Sequence, residues 1–189
     1  MPKINPALSA AILQMPKDKK DKLLLRLIAK DALLIKQLHF DLLEDQSGVE
    51  ERVDEVKAGI ASVLKEAEKY RFTPGELMMT MRSLNARITE HVKVTKDQLS
   101  EVTLTIFLLH QAFEIHLSSL QKFSADRSHT FAEYVLRRTD FVLKKADKLH
   151  EDYHLEFADT LQKLLDFIHQ FKPTAVLAKE LGVPRHWGG

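Results

Sequence analysis

A chain of 189 residues, 44% hydrophobic and 29% charged, has the size and make-up of one folded domain with at most a small appendage. Its net charge of +1 gives no long-range field for a polyanionic partner, and the lack of cysteine excludes disulfides, thiolate catalysis and cysteine-ligated zinc. The six glycines and six prolines stand between periodic segments rather than inside them, which is the punctuation of an all-helical chain.

In chain order, the apolar run before Lys17 is too short for a signal peptide, and the charge order is the reverse of one. Asn5-Pro6 sets an N-cap before a proline and opens a short helix that stops at Met15-Pro16. A second helix is expected from about Asp18 to Ala29, carrying Leu23, Leu24, Leu27 and Ile28. A third, capped by Asp31, would turn Leu34, Ile35, Leu38 and Leu42 inward until Glu44. Ser47 and Glu50 form a capping box for a long helix to about Lys69, and Thr73-Pro74-Gly75-Glu76 forms another for a helix to about His91. Near the third connection, Asp41, Glu44, Asp45, Glu50, Glu51, Asp54 and Glu55 make an acidic corner.

The stretch 97–123 carries two apolar faces. Leu99, Val102, Ile106, Leu109, Phe113, His116, Leu120 and Phe123 draw one stripe, with Leu104, Leu108 and Ile115 roughly opposite. A helix apolar on two sides must lie between other elements, so this one reads as the central post. Its apolar run is broken by His110, Gln111, Glu114 and His116, which argues against a membrane span. The segment 126–171 has no glycine or proline and is long for one helix, so either a break or a kink is expected near Glu151-Asp152. A last short helix, Thr174 to Leu181, stops at Gly182.

Two constellations bear on chemistry. His150-Glu151-Asp152-Tyr153-His154 spells H-E-x-x-H, the string in which two histidines bind zinc and the glutamate is a general base. His110 and Glu114 are also one turn apart on the post. H-x-x-x-E followed by H-x-x-x-H within a bundle is similar to the internal ligand set of hemerythrin-like proteins, and implies a metal site of His110, Glu114, His150 and His154 holding iron or zinc. An early ligand would then be His39 or His91. The closing H-x-x-x-x-D of that family is missing, since five residues beyond His169 stands Thr174. Separately, Arg137, Arg138, Lys144, Lys145 and Lys148 share about a third of a helix circumference. Tyr134 and Phe141 stand among them, a pattern suited to nucleic-acid contact, while Glu133, Asp140 and Asp147 flank it.

No phosphate-loop, dinucleotide, nucleophile-elbow or EF-hand string occurs. The expected architecture is therefore a globular all-α bundle of seven to nine helices around the helix near 97–123. Its short N-terminal helices resemble HEAT-type pairs, but no sequence period supports a solenoid. A single domain over 1–172 and a short helix with a tail over 173–189 are expected. The leading functional expectation is a cytoplasmic, non-catalytic domain that binds another protein, with no cofactor and no membrane or nucleic-acid partner. The histidine/carboxylate metal site and the basic helix face are its alternatives.

Overall fold

Local capping chemistry sets where most of the helices start, and the computed structural model describes residues 4–44, 48–70 and 72–188. Among the described residues there are nine α-helices and no strand: α1 (Pro6–Leu13), α2 (Lys17–Ile28), α3 (Ala32–Leu43), α4 (Gly48–Glu68), α5 (Pro74–Thr95), α6 (Gln98–Leu120), α7 (Ala125–Ala146), α8 (Glu151–Gln170) and α9 (Lys172–Leu181). No helix among them is long and apolar enough to cross a membrane. The chain divides into two compact units, Met1–Gln46 and Ser47–Gly189.

In the first unit, Asn5 accepts a hydrogen bond from the Ala7 amide at 2.9 Å, and Asp31 accepts from the amides of Leu33 and Leu34, each at 3.0 Å. These caps satisfy amides that a helix start leaves orphaned. The inward face expected of α3 is not buried: Ile35 is 44% exposed and Leu42 74%, and Phe40 is the one buried residue described in α1–α3. Helical spacing marks which residues share a face, and three short helices supply too little neighbouring surface to cover it.

The second unit is a bundle around α6, which packs against α4, α5, α7 and α8. Both predicted faces of α6 are used: Val102, Ile106, Leu109, Phe113 and Leu120 are buried on one side, Leu104 and Leu108 on the other. Phe113 stacks on Phe167 with ring centres 6.0 Å apart and meets Phe131 and Phe171 edge-on at 6.2 Å each. That cluster ties α6, α7 and α8 together through rings in favourable relative orientations.

The Thr73–Glu76 capping box is present, with the Thr73 amide donating to Glu76 at 2.7 Å and the Glu76 amide to Thr73 Oγ1 at 3.3 Å. Ser47, the first half of the other predicted box, lies outside the described residues. α5 runs to Thr95 rather than His91, ending at Lys96 with φ of 58°, and Asp97 then caps α6 through the amides of Leu99 and Ser100. The segment 126–171 is two helices, and the break falls just before the predicted place, at Asp147 to His150. It is held without glycine or proline. The His154 ring donates from Nε2 to the Ala146 carbonyl at 3.1 Å, satisfying one acceptor at the end of α7. Trp187 Nε1 donates to Asp147 Oδ1 at 2.9 Å, so the tail after α9 returns to this corner. α9 starts at Lys172, two residues earlier than expected, and packs against α7 and α8.

Candidate functional site

The four predicted metal ligands occupy two separate places. His110 Nδ1 lies 3.6 Å from the Glu114 carboxylate, and its ring sits edge-on to Phe167 at 5.5 Å. Phe167 lies 13 residues beyond His154 on α8, roughly 20 Å along the helix axis. His154 is spent on the Ala146 carbonyl and packs against Trp187 at 5.2 Å. His150 is the N-cap of α8, its Nδ1 3.4 Å from the Asp152 amide. His39 faces Glu44 at 2.7 Å and is largely exposed. Among the described residues no three His, Asp or Glu side chains gather closely enough to hold a metal ion. The H-E-x-x-H string therefore reads here as a helix start and a turn lock.

The five basic residues of α7 are likewise divided. Arg138 lies over the Phe141 ring at 4.4 Å and donates to Thr105 Oγ1 at 3.4 Å. Lys145 donates to Gln98 Oε1 at 2.8 Å and pairs with Glu101. Both point to α6 and serve the bundle. Lys144 pairs with Asp140 at 2.7 Å, and Arg137 and Lys148 are exposed. The stripe is thus partly internal wiring between α6 and α7.

Three histidines of the second unit are held neutral by their surroundings. Burial lowers the pKa of His91, His110 and His116 below the ordinary 6.5. His116 is fully buried on α6, edge-on to Phe72 at 4.6 Å. The Leu64 carbonyl and Glu68 favour its charged form, but neither ring nitrogen has a partner in hydrogen-bond geometry. Beyond Phe72 opens a pocket of about 410 Å³, lined by Tyr70 and Phe123 and by Lys69, Lys122 and Glu68. Its charges are mixed and its mouth is wide, so it defines no chemistry.

The feature out of proportion is in the first unit. Of sixteen strongly exposed large apolar side chains among the described residues, nine lie within residues 4–44, less than a quarter of the chain. On α2, Leu24, Leu25 and Leu27 are 57%, 66% and 52% exposed, and on α3 Leu43 is 75% exposed. Exposed apolar side chains in this number make the first unit the candidate interaction surface. α2 also bears exposed Lys19, Lys22 and Arg26 within about 60° of arc, flanked by Leu25 and Leu27 and with Leu24 on the far side. The sequence signal was available in the i, i+3, i+7 spacing of those charges, which reads as a basic amphipathic helix. No family model, no curated protein and no solved structure matches this chain.

Proposed function

We propose that the protein is a non-catalytic helical domain that binds another protein, and that its docking element is the N-terminal unit α1–α3. One observation carries the reading: this unit holds nine exposed large apolar side chains and one described buried residue, Phe40. A segment so short of core gains stability when its apolar face is covered. The second unit gives the opposite picture, with a closed apolar core, and so serves as the scaffold. A cytoplasmic home belongs to the same reading and draws support from the absence of cysteine. The test is crosslinking in cells followed by recovery of the chain, comparing wild type with Leu24→Gln/Leu27→Gln/Leu42→Gln. These side chains are exposed, so far-UV circular dichroism should be unchanged while a defined partner is lost. Recovery of the same proteins by both chains refutes the docking role.

A further inference from the structure

The charge on α2 dictates what its partner must look like. Residues 17–30 carry six basic residues against two aspartates. The rest of the chain is net negative, at 22 basic against 25 acidic side chains, so the positive excess belongs to this stretch. In the second unit Lys57, Lys69, Lys144 and Lys145 each pair with a carboxylate. On α2, Asp18 stands one turn before Lys22, yet Lys17, Lys19, Lys22 and Arg26 have no carboxylate partner among the described residues. Lys17 and Lys19 also stand in the first turn of α2, at the positive end of the helix dipole, where a cation is unfavourable. The exposed Leu25 and Leu27 take one side each of the strip formed by Lys19, Lys22 and Arg26. We infer that α2 docks into an acidic, apolar-walled groove on a partner protein, with this strip set against the groove's carboxylates and the two leucines against its walls. The inference rests on the docking role of the N-terminal unit given above.

Positive charge that the fold leaves unpaired is matched by an anionic occupant. Three kinds of occupant carry that charge, and the leucines choose among them. A nucleic-acid backbone would take the three cations and leave Leu25 and Leu27 in water. An anionic bilayer takes a helix whose apolar face is broad and lies opposite its charges. On α2 the two kinds of residue interleave: in arc, Leu24 lies between Lys20 and Lys17, and Ile28 between Lys17 and Asp21. The widest arc free of charge, about 100° from Lys19 to Lys20, holds only Leu27 and the half-buried Leu23. Sinking Leu24 and Leu27 together into hydrocarbon would take down Lys20, which lies between them in arc and donates to the Leu13 carbonyl at 3.2 Å. A protein groove can set a carboxylate or an apolar side chain opposite each position in turn, and a helix laid in such a groove is a recurrent mode of recognition.

The test takes the protein crosslinked to the chain in cells, purifies it and titrates it against the full chain by fluorescence anisotropy. Binding should weaken about tenfold or more between low and high salt. Lys19→Glu/Lys22→Glu/Arg26→Glu should weaken it by about a hundredfold or more. A carboxylate in place of Lys19 suits the first turn of a helix better than the lysine does, so that loss cannot come from unmaking α2. Leu25→Gln/Leu27→Gln should weaken binding about tenfold with the salt dependence unchanged. Arg137→Glu/Lys148→Glu, which alters exposed cations of the second unit, should leave it as it is. Carbodiimide, which condenses an amine with a carboxylate that it touches, should link Lys19 or Lys22 to an aspartate or glutamate of the partner. A partner linked only through other lysines, or bound equally well by the charge-reversal variant, overturns the inference. The docking role still stands in that case if Leu24→Gln/Leu27→Gln/Leu42→Gln loses the partner. Binding to vesicles of phosphatidylcholine with phosphatidylglycerol but not to phosphatidylcholine alone, abolished by the charge reversal, overturns the inference in favour of a membrane surface. Retention of single-stranded or duplex nucleic acid, abolished in the same way, overturns it in favour of a nucleic acid. Cells that yield no crosslinked protein overturn both the inference and the docking role.

Discussion

Replacing His116 with leucine should make the protein more stable. The ring is fully buried between α4, α6 and Phe72, and neither nitrogen meets a hydrogen-bond partner. An unpartnered buried polar group costs about 1–3 kcal/mol. Leucine has nearly the same bulk, and its different shape costs up to about 1.5 kcal/mol of repacking. The balance favours His116→Leu by roughly 1 kcal/mol at pH 8, or a rise in Tm of about 2–4 °C for a chain of this size. Acid should widen the gap. Burial holds the folded ring's pKa below 6.5, against the pull of Leu64 and Glu68, so the unfolded chain takes up a proton first. The neutral ring's contribution is complete above about pH 6.5 and is lost as pH falls below it. The variant lacks that loss, while His91 and His110 keep theirs, because burial shifts both in the same direction. Urea titrations at about pH 8 and pH 5.5 can follow Trp187, the one tryptophan, which reports the second unit. A variant less stable by 1 kcal/mol or more at pH 8, or a gain that does not grow on acidification, refutes the reasoning.

Truncating the post should cost much more: about 3–5 kcal/mol for Phe113→Ala and about 2–5 kcal/mol for Leu109→Ala, read by the same titration. A loss below about 0.5 kcal/mol would mean that these side chains are not enclosed. Thr174→Val removes a fully buried hydroxyl that lies 2.6 Å from the Ile168 carbonyl and 2.8 Å from that of Phe171, and should lower stability by about 1 kcal/mol. Asp147→Ala takes away the acceptor of the Trp187 indole, so fluorescence should shift to the red with little change in far-UV circular dichroism. An unshifted spectrum would show that the tail stays docked without this bond. Fluorescent single-stranded and duplex probes at low salt should not be retained by the chain, since Arg138 and Lys145 are committed to α6 and Lys144 to Asp140. Steeply salt-dependent retention, lost on Arg137→Ala/Lys148→Ala, would restore the basic face as an interface.

The post could be read from sequence because a two-faced apolar helix has one physical outcome, and the Thr73–Glu76 box because its partners are three residues apart. Both depend on local spacing. The α7–α8 break was displaced by a few residues because its lock is tertiary: no spacing within 126–171 shows that His154 will reach Ala146 or that Trp187 will return to Asp147. The metal set failed for a related reason. An i, i+4 pair guarantees that two side chains share a face, but not that another pair arrives opposite, and His110 meets α8 at Phe167 instead. In α2 and α3 spacing shows which residues share a face, and what it could not show was whether anything covers Leu24 or Leu42. That uncovered remainder is the candidate site.

The residue joining the last two helices has a consequence for motion. Phe171 is at once the C-cap of α8 and the N-cap of α9, and it is buried against Phe113 and Phe131. Ten residues are too few for α9 to persist as an isolated helix, so its order is borrowed from that ring. Releasing the first turn of α9 therefore means drawing an aromatic out of the core. Amide protons in the last turn of α8 and the first turn of α9 should exchange by a single shared opening, with protection approaching that of α6.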